Sequence, residues 1–152
     1  MNEISIRLAT IEDAAIIHGL LAELEKTLGA TSKIQRTLQD IRNYGFSETP
    51  CFEALLAWNG SEAIGLVLFF REFSSWKGIP GVYVQDLIVL PGMRGKGLGF
   101  RLMKAVFEHT RSWDAGYCKL AVHTENKSAL DFYGSMGFRE IENEHVLILD
   151  GL

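Results

Sequence analysis

The chain has 152 residues, 47% of them hydrophobic and 22% charged, and a formal net charge of -4. This suits one soluble domain with a sizeable core, residues 1–152, and argues against the basic surface that nucleic acid requires as a partner. No apolar run approaches the roughly 18 residues of a membrane span, so no membrane partner is expected.

In chain order, Ser5 to Leu8 predicts a first strand. Thr10 is then a helix N-cap with Asp13 at the third helical position, opening a helix with Ile16, Ile17, Leu20, Leu21 and Leu24 on its apolar stripe. A second helix is expected from Lys33 to Asn43 through Ile34, Leu38 and Ile41. Phe52–Trp58 and Ala63–Phe70 are apolar runs joined around Asn59-Gly60, a hairpin signal. Gly81–Leu90 predicts a further strand, and the adjacent polar pair Gln85-Asp86 breaks its alternation in a way that a bulge would restore. Leu98, Leu102, Ala105, Val106 and His109 recur at helical spacing. Lys119–Thr124 reads as a strand, Lys127–Met136 as a short helix stopped by Gly137, and Phe138–Leu149 as two closing strands. The fold class expected is therefore α/β (α+β): a mixed, mostly antiparallel sheet of about seven strands, with about four helices on its two faces.

The N-terminus MNEISIRLAT has no signal-peptide pattern, which points to a cytoplasmic location. Cys51 and Cys118 form no CxxC and are expected as reduced, mostly buried thiols. His18, His109, His123 and His145 show no ligand spacing, so no metal is expected.

The chemistry is concentrated between Val89 and Phe100, where Gly92, Gly95, Gly97 and Gly99 lie between a strand and an amphipathic helix. Small residues let backbone amides approach a ligand, and a helix N-terminus adds unpaired N–H groups and the positive end of its dipole. With Arg94 and Lys96 this makes an anion cradle suited to a phosphate. Neither GxxxxGK[ST] nor GxGxxG fits, which argues against a nucleotide enzyme using the same cradle. Arg94-x-x-Gly97-x-Gly99 does fit [QR]xxGx[GA], and here the sequence resembles the GNAT N-acetyltransferase superfamily. Asn126 followed by a helix ending in Tyr133-x-x-x-Gly137-Phe138 is similar to that family's second signature. Trp76-Lys-Gly, Tyr83 to Val89, and Asn126 to Tyr133 further resemble the diamine (spermidine/spermine-type) acetyltransferases, which carry a glutamate where this chain has Gln85.

The resemblance implies acetyl-CoA as co-substrate, with its pyrophosphate on Arg94, Gly95, Lys96, Gly97, Leu98 and Gly99. It implies direct acetyl transfer in a ternary complex to a primary amine of a small molecule, a polyamine, diamine or amino-acid-like compound, by a homodimer. A non-catalytic acyl-CoA-sensing module and a protein N-terminal or lysine acetyltransferase are the alternatives. Leu87, Ile88 and Val89 would contribute backbone groups to the pantetheine arm, as an added strand does. Asn126 would either bond that arm or only cap its helix. The resemblance places Tyr133 beside the thioester sulfur, where a phenol protonates the leaving thiolate.

An alkylamine with a pKa of about 10.4 must also lose a proton. Gln85 has no basicity and can only orient water. Asp86, and less so Glu125, could take the proton; Asp86 could equally be a structural carboxylate. Arg101 and Lys104 fit a solvated helix face better than a phosphate site.

Overall fold

Strand β1 (Ile4–Leu8) leads into Thr10, whose amide donates to the Asp13 carboxylate at 2.8 Å. The same carboxylate takes both ends of the Arg7 guanidinium, at 2.8 and 3.0 Å. A short 3-10 turn from Ile11 to Asp13 follows and continues as helix α1 (Ala14–Thr27), as the Thr10 cap predicts. The computed structural model describes residues 3–29 and 34–152. Helix α2 (Leu38–Gly45) begins later than expected, and Lys33 lies outside the described residues. The reason is a second box: the Thr37 hydroxyl accepts the Asp40 amide at 3.2 Å, and the Thr37 amide donates to the Asp40 carboxylate at 2.8 Å. This reciprocal pair fixes the helix start at Thr37 and leaves Ile34 exposed before it.

The chain divides into two compact units, Met1–Leu120 and Ala121–Leu152. In the first, β2 (Glu53–Asn59), β3 (Glu62–Ser74), β4 (Ile79–Val89) and β5 (Cys118–Leu120) extend β1 into a sheet of order β1-β2-β3-β4-β5. All neighbours are antiparallel except β4 and β5. The Asn59-Gly60 hairpin forms, with Gly60 at φ +62°. β3 and β4 run past their predicted ends to pair Ser74 with Ile79, and Trp76-Lys-Gly becomes the tip, with Gly78 at φ +68°.

Ile17, Leu20 and Leu21 of α1 and Ile41 of α2 cluster with Leu56, Leu66, Leu68 and Ile88 on one sheet face. Strand residues of the opposite phase, Leu55, Val67 and Phe69, are buried as well. Helix α3 (Leu98–His109) lies against β2, β3 and β4 and buries Leu98, Leu102, Met103 and Val106. Each such side chain contributes about 1.5–3 kcal/mol by leaving water.

The second unit holds helix α4 (Lys127–Ser135) and no strand. Gly137, at φ +99°, donates to the Gly134 carbonyl, and Phe138 donates to that of Tyr133, so the expected glycine stop is a Schellman cap. The sheet thus has five strands among the described residues rather than about seven. A turn does occur at Asn143, φ +63°, but its flanks have no ladder partner among the described residues, and Val146 to Leu149 are 77–97% exposed. A strand is a property of a pair, and β-type composition without a ladder partner leaves the segment irregular. Likewise the strand expected over Lys119–Thr124 ends at Leu120, where its pairing with β4 ends.

Candidate active site

At the end of β4 the chain makes a 3-10 turn, Pro91–Met93, and Arg94 folds back so that its Nε donates to the Val89 carbonyl at 3.0 Å. Gly95 and Gly97 both adopt φ +76°, a left-handed conformation that side chains resist. Gly97 is the N-cap of α3, and its carbonyl accepts the first helical bond from Arg101 at 3.0 Å. Buried Leu98, 4% exposed, anchors the helix start on the core. The first-turn amides of Leu98, Gly99 and Phe100 have no acceptor inside the helix. Arg94, Gly95, Lys96 and Gly97 are exposed around them. Donor-rich backbone, dipole and two cations in one open loop fit a pyrophosphate.

Upstream, Leu68 pairs with Asp86 and Phe69 with Val84, which leaves Gln85 as the extra residue of a bulge. Gln85 is exposed, whereas Asp86 is half-buried and in phase with Ile88 of the α1-side core. Burial pushes the Asp86 carboxyl up to about 6, with the Arg36 guanidinium pulling it down and the Glu25 carboxylate pushing it further up. β5 pairs with β4 only from Val82 to Val84, so the edge from Gln85 through Leu87, Ile88 and Val89 has no ladder on that side among the described residues. That edge is available to an extended amide chain.

Arg36 lies between α1 and α2. Its Nη2 donates to both oxygens of Glu25, one of them at 3.2 Å, and its Nε faces His18 Nδ1 at 3.4 Å. Glu25 is 8% exposed, so this ion pair neutralises a buried charge. Sequence reasoning missed Arg36: a lone cation in a connection carries no periodicity, and only the stripe shared by His18 and Glu25 hinted at a common face.

In the second unit, Asn126 caps α4 by accepting the Ala129 amide at 3.2 Å, so it performs the capping role. Tyr133 is half-buried, with Phe132 and Phe138 edge-on at 5.0 and 5.5 Å. Glu125 is exposed. Thus β4 and α3 bring Gln85, Asp86, Leu87 to Val89 and the cradle together in one unit, while Asn126 and Tyr133 lie in the other.

Arg101 is taken up by the Ile4 carbonyl at 3.1 Å, and Lys104 lies over the Phe100 ring at 5.7 Å. Cys118 is half-buried, its thiol pushed up to about 12 by burial, but Cys51 is exposed rather than buried. Among the described residues no cluster of His, Cys, Asp or Glu is placed to hold a metal, and no helix is long and apolar enough to cross a membrane.

The family model described as the acetyltransferase (GNAT) family matches residues 18–138. A thialysine N-epsilon-acetyltransferase from Bos taurus is 30% identical over 93% of this chain and 87% of its own length. A spermidine/spermine N(1)-acetyltransferase-like protein from Homo sapiens is 23% identical over 95% of this chain and 22% of its own length. Among solved structures, an aminoglycoside N-acetyltransferase in complex with CoA superposes with a TM-score of 0.77 at 19% identity, covering 99% of this chain and 96% of that one.

Proposed function

This chain belongs to the GNAT acetyltransferase family and is an N-acetyltransferase, and we propose that it acetylates a primary amine of a small diamine, polyamine or amino-acid-like molecule at the bulge of β4. The observation that carries this reading is the half-buried Asp86 on the strand that runs directly into the cradle. Residues 1–152 act as one catalytic domain, which the family match across both units supports.

Arg94, Gly95, Lys96, Gly97, Leu98 and Gly99 hold the pyrophosphate of acetyl-CoA with backbone amides and charge. Acetyl-CoA supplies the activated acetyl thioester. Backbone groups of Leu87, Ile88 and Val89 bond the pantetheine amides along the free edge of β4, and one N–H there polarises the acetyl oxygen.

Asp86 accepts the proton that the amine must lose, and Gln85, exposed at the bulge, orients the water between them. A carboxyl that titrates at about 6 is ionised at neutral pH yet more basic than an ordinary aspartate. Tyr133 donates a proton to the leaving sulfur, as its place in the family motif supports. The enzyme works in the cytoplasm as a homodimer; exposed Trp76 and Phe73 at the β3–β4 tip support association between copies.

The test is an acceptor screen with acetyl-CoA, following thiol release against diamines, polyamines, amino acids, aminoglycosides and peptide N-termini. Turnover with a small primary amine is expected, and thiol release with none of them would overturn the reading.

A further inference from the structure

Arg36 has more donors than its structural partners use. Nη2 is committed to Glu25 and Nε to His18. Nη1 has no acceptor among the described residues, and it is not among their sealed-off unpaired atoms. The side chain as a whole is 23% exposed. Among the described residues the guanidinium is thus held by α1 on one edge and unpaired on the other. It also lies within electrostatic reach of Asp86, and of Asp40 at the start of α2. On the α1 side of the bulge, then, stand two carboxylates, Glu25 and Asp86, one fixed cation, and His18, whose Nδ1 accepts from that cation.

We propose that Arg36 is a specificity-determining residue of the acceptor site, selecting an amine that also carries a carboxylate over a diamine or polyamine. This rests on the acetyltransferase reading above and narrows its substrate class. The reacting ammonium is drawn by Asp86. A second ammonium on the same small molecule gains nothing from Nη1, because both groups are donors and neither can accept. A carboxylate in the same place instead receives charge-assisted bonds from Nη1, whose partner Nη2 is already neutralising Glu25. The carboxylate has a bond at Nη1 that the ammonium lacks, and that difference is how a small site separates acceptors of equal length.

Lysine and cadaverine make the comparison, since they share the amine and its methylene chain and differ by the carboxylate; pentylamine, lacking both end groups, is the reference. In the wild type, kcat/KM for lysine should exceed that for cadaverine by about tenfold or more, chiefly through KM. Arg36→Gln should bring the ratio close to one, and Arg36→Lys should keep part of it. Arg36→Gln alone leaves Glu25 buried without a partner, so the Glu25→Gln/Arg36→Gln double variant is made as well. It keeps a hydrogen-bonding pair in place of the ion pair and should lose the preference in the same way. No preference in the wild type, or a preference that survives in the folded double variant, would mean that Arg36 only staples the connection to α1 and would overturn the proposal. If no amine is acetylated, the acetyl-transfer reading fails instead. Calorimetric titration of lysine and cadaverine into wild type and double variant then reads the preference directly, and equal affinities in the wild type would overturn the role of Arg36.

Discussion

Arg94 Nε reaches back to the Val89 carbonyl at 3.0 Å, tying the cation of the glycine-rich loop to the last residue of the bulged strand. One hydrogen bond therefore couples the two parts of the site that sequence motifs present separately. After Arg94 the loop passes through two left-handed glycines, Gly95 and Gly97, before the helix begins.

Gly97→Asp should weaken acetyl-CoA binding by at least tenfold, measured by calorimetry. At φ +76° any side chain is strained by about 1 kcal/mol, and this one places a negative charge at the anion-binding helix start. A Cβ at Gly97 meets nothing within 4 Å, so the variant should fold. Unchanged affinity in the folded protein would remove the phosphate role from this loop.

Tyr133→Phe should lower turnover by on the order of a hundredfold while sparing acetyl-CoA affinity. The ring contacts to Phe132 and Phe138 involve no hydroxyl chemistry and survive the change, as do the backbone bonds of the Schellman cap. Full turnover in the variant would assign protonation of the leaving thiolate to water.

Asp13→Asn should destabilise the protein by about 1–3 kcal/mol at neutral pH, read as a drop in melting temperature. Asp13 is 5% exposed and serves both Arg7 and the Thr10 amide, and its carboxyl is held below the usual range chiefly by the bond from Arg7. A lowered native pKa gives stability that is present above the ordinary carboxylate value and lost as pH falls through the native one. The gap between wild type and variant should therefore close in acid.

Local signals made much of this legible. The Asn59-Gly60 hairpin, the period of α3 and the Gly137 stop each depend on residues close in sequence, and all appear. The bulge was legible too, because two polar residues break the alternation of an apolar strand and only one extra residue restores the phase. The extension of β3 and β4 to Ser74 and Ile79 was not, since a ladder holds that arm without an alternating core face. The closing strands failed for the opposite reason: apolar composition was present and the partner was not. Arg36 was invisible because its meaning comes from Glu25 and His18, a helix away.

The handling of the amine's proton turns on Asp86. Its native carboxyl lies at about 6 against an ordinary 3.8, so the folded state holds the proton more tightly than the unfolded chain does. Stability from this group is therefore full below the ordinary value and falls as pH rises toward 6, at a cost of up to about 3 kcal/mol once ionised. Asp86→Asn should accordingly raise the melting temperature at pH 8 relative to wild type and change it little at pH 4. Activity should move the other way. In the wild type kcat/KM should rise as the carboxylate forms near pH 6 and then level off. In Asp86→Asn no side chain at the bulge takes the proton, so the rate should keep climbing with the neutral fraction of the amine toward its own pKa of about 10.4. Gln85→Glu adds a carboxylate at the extra residue of the bulge and should raise the rate near neutral pH, including in the Asp86→Asn background. A pH profile that neither substitution alters would show that the bulge positions the amine without accepting its proton, leaving solvent as the base.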